Sequence, residues 1–362
     1  MTGKPLPDSR GEQVNILRPW IARWTRTIKR GHCFILILAG CVCADASARI
    51  RNYPFDHISD EDGLSGNTVT CILHDRRGFI WFATDNGLNR YDGYRITVFT
   101  NNPYDDRTIS SDEITALHED QSGRIWVGTR MGLNRFDRER ERFTRFLPGE
   151  QDSLGISGSD IAAIAEDTSG RLWIGTRHDG LNGLDPKTGR FVRYLHDPDN
   201  PGGINSNQID GLLVDRNGRL WVATKAGGIH LHDPEKDVFI RLLEDRIASE
   251  PDHLFWKTLT EDRAGNLWIG SPLHGLYRYN HAANTLIHYR QSRGGLNSSA
   301  VLDVCETRNG MIWIGTDGGG LNLFDPKDET FSYVTADDKD PSSLTRNAVY
   351  SVFEDRNGAI WA

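Results

Sequence analysis

The chain has 362 residues, 38% of them hydrophobic and 9% aromatic, which is enough apolar side chain for a packed, strand-rich core. Its formal net charge is −8 with the signs interspersed, which argues against a nucleic-acid surface, where basic residues cluster on one face. Length alone would suggest two or three domains, yet closed all-β folds run long as single units.

Near the N-terminus lies the one continuous apolar stretch, Cys33–Ala44 (CFILILAGCVCA). It is short of the roughly 20 residues that a spanning helix needs. Arg23, Arg26, Lys29 and Arg30 precede it and Ala46-Ser47-Ala48 follows, the order of a secretory signal with cleavage after Ala48. The segment ahead of that core, Met1–His32, is long for a signal, and a start at Val14 would shorten it. Leu38-Ala39-Gly40-Cys41 also resembles a bacterial lipobox, which would put a lipid on Cys41. The expected division is an N-terminal extension and signal over residues 1–48 and a folded domain over 49–362, exported to the periplasm. Cys71 and Cys305 are the cysteines beyond the signal, and they lie in repeats too distant to pair. Two free thiols are predicted.

From Asp75 onward the chain repeats itself. DRRGFIWFATDNGLNRYDG at Asp75 is followed by DQSGRIWVGTRMGLNRFD at Asp120, DTSGRLWIGTRHDGLNGLD at Asp167 and DRNGRLWVATKAGGIHLHD at Asp215. DRAGNLWIGSPLHGLYRYN at Asp262 and TRNGMIWIGTDGGGLNLFD at Thr307 come next, and a last copy starts at Asp355 and breaks off after Trp361. The tryptophans at 81, 126, 173, 221, 268, 313 and 361 recur every 45 to 48 residues. A period of roughly 40–50 residues built from short strands is the mark of propeller blades. The expectation is an all-β, seven-bladed propeller of four-stranded antiparallel blades, with the seventh incomplete and the chain a fragment.

The third copy shows the design. Residues 160–167 (DIAAIAED) read as the innermost strand, and 171–176 (RLWIGT), 180–185 (GLNGLD) and 190–195 (RFVRYL) as the next three. Between the first two, D-x-x-G makes a turn in which Asp bonds its own backbone and Gly supplies positive φ. Ala163 and its equivalents Cys71, Ala116, Gly211, Thr258, Asp303 and Ser351 read as packing near the axis. Gly175, Gly128, Gly270 and Gly315 let a neighbouring sheet approach. The seven tryptophans read as wedges between blades, each ring burying about 150–250 Å². Asn52–Ser59 (NYPFDHIS) fits a fourth-strand slot, so both chain ends would seal the ring, with no third strand for that segment to pair with.

The motif D-x-x-G-x-[IL]-W-x-[GA]-[TS]-x-x-G-[LI] resembles the two-component regulator propeller repeat over 52–362, and Gly63–Asp75 (GLSGNTVTCILHD) resembles that family's opening of its first blade. The resemblance implies an extracytoplasmic sensor region of a hybrid histidine kinase or diguanylate cyclase. It implies a small-molecule or oligosaccharide ligand, no cofactor, and pairing of two copies through downstream parts. Membrane association would come only through the signal, a lipid or a further helix. No kinase or cyclase output module lies in this sequence, so the expected fragment is not an enzyme. The word GFIWFAT (Gly78–Thr84) also resembles streptogramin-type lyases, which need a histidine, a glutamate and a metal on one face. A third reading is a protein-binding scaffold.

Chemical motifs are sparse. Thr316–Asn322 (TDGGGLN) lies between two strands and reads as a turn, not a phosphate cradle. Asp197–Gly202 half-matches a calcium loop but has Pro201 at the fifth position and Gln208 at the twelfth, so no metal is predicted. The variable positions carry the binding expectation: Asp85, Asn86, Arg130, Arg177, His178, Lys225, His274 and Asp317 on connections that open on one face. Trp256 interrupts a slot otherwise filled by Val69, Ile114, Ile161, Ile209, Val301 and Val349, and an exposed indole there could stack on a sugar. A larger ring filling a wider core slot is the alternative.

Overall fold

The computed structural model describes residues 14–17, 49–50, 53–149, 155–225, 228–243, 246 and 255–362. The basic and apolar parts of the expected signal, its cleavage site and the Cys41 lipobox lie outside these residues.

Each repeat alternates a D-x-x-G turn with a five-residue run that is buried on both faces, such as Ile125–Thr129 or Leu172–Thr176. A strand of this kind is sandwiched between neighbouring sheets, so it reads as unbroken apolar sequence. Six four-stranded antiparallel blades result. Blade 1 comprises Val69–His74, Ile80–Thr84, Gly87–Tyr91 and Ile96–Phe99. Blade 2 comprises Ile114–Glu119, Ile125–Thr129, Gly132–Asp137 and Arg142–Phe146. In blade 3 the strands are Ile161–Glu166, Leu172–Thr176, Leu181–Asp185 and Arg190–Tyr194. Blade 4 has Ile209–Val214, Leu220–Thr224, Gly228–Asp233 and Val238–Leu242. Thr258–Glu261, Asn266–Ser271, Gly275–Asn280 and Thr285–Tyr289 form blade 5. Blade 6 has Val301–Glu306, Ile312–Thr316, Gly320–Asp325 and Thr330–Val334, with Arg49–Ile50 added in parallel at its outer edge.

The expectation of seven blades is corrected to six. The seventh repeat supplies only the two-residue strands Phe353–Glu354 and Ile360–Trp361. They join Val14–Leu17 and Asp56–Ile58 in a closing sheet between blades 6 and 1. Strands that short carry too few ladder pairs to make a blade like the others. The expectation that the Phe55 segment has no partner is also overturned, because Asp56–Ile58 pairs antiparallel with Val14–Leu17.

Contacts around the ring continue through this junction. At most of the turns the backbone N–H that follows donates to a carboxylate of the next blade, as in Arg76 N to Glu119 (2.8 Å), Gln121 N to Glu166 (2.7 Å) and Arg263 N to Glu306 (2.8 Å). Arg308 N donates to Glu354 at 2.7 Å, and Arg356 N returns to His74 Nδ1 at 3.3 Å. Phe82 of blade 1 meets Trp361 with ring centroids 5.5 Å apart. Cys71 and Cys305 are both free.

A candidate ligand site in the axial channel

Five innermost strands share one irregularity. The register slips between Val69 and Cys71, Ile114 and Ala116, Ile161 and Ala163, Ile209 and Gly211, and Val301 and Asp303. A bulge of this kind re-aims the extra residue. The bulged residues Thr70, Thr115, Ala162, Asp210 and Leu302 all line a cavity of about 210 Å³ on the axis. Lys257 lines it from blade 5 and Tyr350 from the seventh repeat, so every repeat contributes to one wall.

The lining is lopsided. Blades 1 to 3 present mainly small side chains, Thr70, Cys71, Thr115, Ala116, Ala162 and Ala163, beside Leu117, Ile164 and Arg177. Blades 4 to 6 present Asp210, Lys257 and Asp303. Asp303 accepts from Val304 N (2.9 Å), Val352 N (2.9 Å), Thr258 Oγ1 (3.1 Å) and Ser351 Oγ (3.2 Å). Burial nevertheless pushes its carboxyl above the usual range, against those four donors. Asp210 accepts from Trp256 N at 3.1 Å. Its carboxyl is pushed up to about 7, chiefly by burial, which outweighs the Trp256 donor and the cations Arg177, Lys225 and Lys257. Burial, reinforced by Arg177, lowers Lys257, and burial raises the Cys71 thiol to about 11.

The predicted site residues divide. Arg177 lies at the cavity wall, its backbone N–H donating to Asp160 O at 2.9 Å and its Nε 3.3 Å from the Asp160 carboxylate. Lys225 is exposed on the neighbouring turn, within electrostatic reach of Asp210. Trp256 adjoins the same cavity, but its ring is 0% exposed and packs edge-on against Tyr277 in the core between blades 4 and 5. The expectation of an exposed indole at Trp256 is therefore corrected to a core ring. Arg130 is engaged with Glu113 at 2.5 Å. His178 and Asp317 are exposed on the turns of blades 3 and 6, and His274 lies on that of blade 5, where its carbonyl accepts from His288 Nε2 at 2.6 Å. No geometry brings these last residues onto the Asp210 cluster.

Asp210, Lys257 and Asp303 escaped the sequence reading. Asp303 stood in a slot read as packing, and the slot before it runs Thr70, Thr115, Ala162, Asp210, Lys257, Leu302, Tyr350. Two opposite charges in adjacent repeats of an otherwise uncharged slot are the signal that could have found them.

The repeated tryptophans sit in the interblade cores: Trp81 with Ile114 and Phe136, Trp126 with Ile161 and Phe191, Trp173 with Ile209 and Phe239. Trp221 packs with Leu267, Trp268 with Ile312, Trp313 with Val349, and Trp361 with Phe82. The turn Asp has a second task that spacing did not reveal. Its outer oxygen accepts the indole N–H six residues on, as in Asp75–Trp81 (2.9 Å), Asp120–Trp126 (2.8 Å) and Asp355–Trp361 (3.1 Å). Among the described residues, no group of three or more His, Cys, Asp and Glu side chains is placed to hold a metal.

A ring of W-bearing blades around a polar throat defines the repeat-propeller class. Within it, five segments, residues 63–86, 108–131, 155–178, 203–226 and 295–318, match the two-component regulator propeller family. These five segments carry that family's repeat. The chain is 34% identical over 76 residues to histidine kinase P4 of Formosa agariphila, a stretch covering 21% of this chain and 6% of that kinase. The fold is similar to the extracellular domain assigned to the hybrid two-component system BT3049 of B. thetaiotaomicron, with TM-score 0.73 and 23% identity over 86% of this chain and 42% of that one. It also resembles virginiamycin B lyase of Staphylococcus aureus, with TM-score 0.58 and 11% identity over 80% and 92% of the two chains. At these identities the structural likenesses are likenesses of fold. The matched stretches span less than half of the kinase and of the two-component protein. Among the described residues no helix is long and apolar enough to cross a membrane.

Proposed function

We propose that the chain is the ligand-sensing, extracytoplasmic propeller of a two-component signalling protein, and that it does no chemistry itself. The observation that carries this reading is the axial cavity, whose wall takes residues from all seven repeats. An occupant there touches every repeat, so its binding energy can favour one arrangement of the ring over another. The volume of about 210 Å³ lies below the roughly 300–1,000 Å³ of drug-sized pockets, and suits a small polar ligand or one residue of an oligosaccharide. Arg177 lines the cavity wall, and Lys225 lies within electrostatic reach of Asp210.

The test is thermal unfolding of the purified chain against a panel of neutral and acidic saccharides. A ligand at 100 times its Kd stabilises by about 2.7 kcal/mol. Arg177→Ala should remove the shift. A panel without effect, with metal-dependent turnover in its place, would move the assignment to lyase chemistry. Capture of one defined protein with no saccharide response would make the propeller a scaffold.

A further inference from the structure

Resting on the sensor reading, the geometry points to a narrower assignment: the charged half of the axial channel is a site for a small carboxylate-bearing ligand, seated on the Lys257 ammonium between blades 4 and 6.

The first argument is the state of Lys257 itself. It lines the cavity and is only partly exposed, yet among the described residues no carboxylate lies within 4.0 Å of its ammonium. A desolvated ammonium without a partner is costly, and such groups in proteins normally find one. The nearest candidates are taken. Asp303 already has four donors, and Asp210 is engaged by the Trp256 backbone.

The second argument is the balance of donors. Two further residues that line the cavity carry a buried polar atom with no hydrogen-bond partner among the described residues: Thr115 Oγ1 across the channel and Arg177 Nε at the wall. A guanidinium N–H can only donate, and a hydroxyl can do either. Ammonium, hydroxyl and guanidinium together call for acceptor oxygens on the occupant, and a carboxylate supplies two with a matching charge.

The third argument is room. Blades 1 to 3 contribute mainly small side chains to a cavity far larger than the one-water minimum of roughly 10–15 Å³.

The experiment compares glucuronate with glucose, two probes that share a ring and differ by the carboxylate, by calorimetry and thermal shift on the purified chain at constant ionic strength. Glucuronate should bind at least tenfold more tightly than glucose. Lys257→Met should lose at least tenfold of that affinity, and Lys257→Arg should retain it. Should Lys257→Met not fold, Asp210→Asn gives an independent readout: removing a competing negative charge beside Lys257 should tighten glucuronate. Equal binding of both sugars, or glucuronate binding indifferent to Lys257 and Asp210, would overturn the carboxylate assignment while leaving the sensor reading in place. No response to either probe, or to the wider saccharide panel, would overturn both.

Discussion

The turn aspartates offer a sharp test of how the ring is held, and Asp120 is the best placed. Its carboxylate is fully buried and accepts four hydrogen bonds: Trp126 Nε1 (2.8 Å), Arg124 Nε (2.6 Å), Ser122 N (3.0 Å) and Arg124 N (2.9 Å). Asp120→Ala leaves the indole and two backbone donors without an acceptor. An unsatisfied buried donor costs about 1–3 kcal/mol, and the low end applies because the turn lies near water, giving about 3 kcal/mol in all. Unfolding entropy is about 2.1 cal/mol/K per residue, so for roughly 300 ordered residues this lowers Tm by about 5 °C. The sixth repeat is a natural control, because it carries Thr307, whose hydroxyl donates to Met311 O at 2.9 Å while Gly310 N still closes the turn on Thr307 O at 2.8 Å. Asp120→Thr should therefore cost about half as much as Asp120→Ala. Calorimetry on both variants, combined with Trp126→Phe in a double-mutant cycle, isolates the indole bond, with a coupling of about 1 kcal/mol expected. A Tm drop of less than about 1 °C for Asp120→Ala, or zero coupling to Trp126, would refute the clamp.

The remaining expectations concern the ring as a whole. Gly175→Ala puts a Cβ 2.5 Å from Ile209 Cγ2 of the next blade, whereas Gly211→Ala meets nothing closer than Leu259 Cγ at 3.6 Å. The first should destabilise by about 1–3 kcal/mol and the second should be tolerated, as read by thermal unfolding. Burial lowers His118 to about 4, against the opposing pull of the Asp120 carboxylate. Because the folded pKa lies below the unfolded value of about 6.5, this stability is present above pH 6.5 and is lost as pH falls towards 4, by up to about 3 kcal/mol. His118→Gln should flatten the stability profile over that window. His74 takes at the closing junction the place held by Glu119, Glu166, Glu261, Glu306 or Glu354 at others. His74→Glu should strengthen the bond from Arg356 N and raise stability at neutral pH by about 0.5–1 kcal/mol, measured by denaturant midpoint.

Much of the blade was legible in the sequence because local chemistry dictates it. The strands expected over 160–167, 171–176, 180–185 and 190–195 are found at Ile161–Glu166, Leu172–Thr176, Leu181–Asp185 and Arg190–Tyr194. Turn residues and unbroken apolar runs mark such strands within a few residues of one another. The closing junction was not legible, since Val14–Leu17 pairs with strands more than 30 residues away and at the far end of the chain, and no local pattern announces that. The channel charges were hidden for another reason. Alternation along a strand predicts facing only while register holds, and the slip at Ile209/Gly211 turns Asp210 into the channel lining. Trp256 was read correctly as an exception, but its ring went inward because Tyr277 and Leu243 leave a pocket for it where other blades hold an aliphatic side chain.

That exception and the channel charges belong to one arrangement. Blade 5 lacks the inner-strand slip found in blades 1 to 4 and 6, and its strand begins at Thr258, after Trp256 and Lys257. The large ring anchors the start of the strand in the interblade core, and its backbone N–H holds the Asp210 carboxylate of blade 4. Thr258 reaches the other way, to Asp303 of blade 6, which in turn holds Ser351 and Val352 of the seventh repeat. A chain of hydrogen bonds through side chains and backbone thus runs from blade 4 to the closing junction along the channel wall, where blades 1 to 3 contribute mainly small side chains. A repeat array distributes its stability over near-equal neighbour contacts. Here one arc of the ring is tied by polar bonds that a bound charge would strengthen or loosen, and that arc ends at the closing sheet, where the seventh repeat contributes strands of only two residues. Occupancy of the channel would therefore be felt most where the ring is least regular.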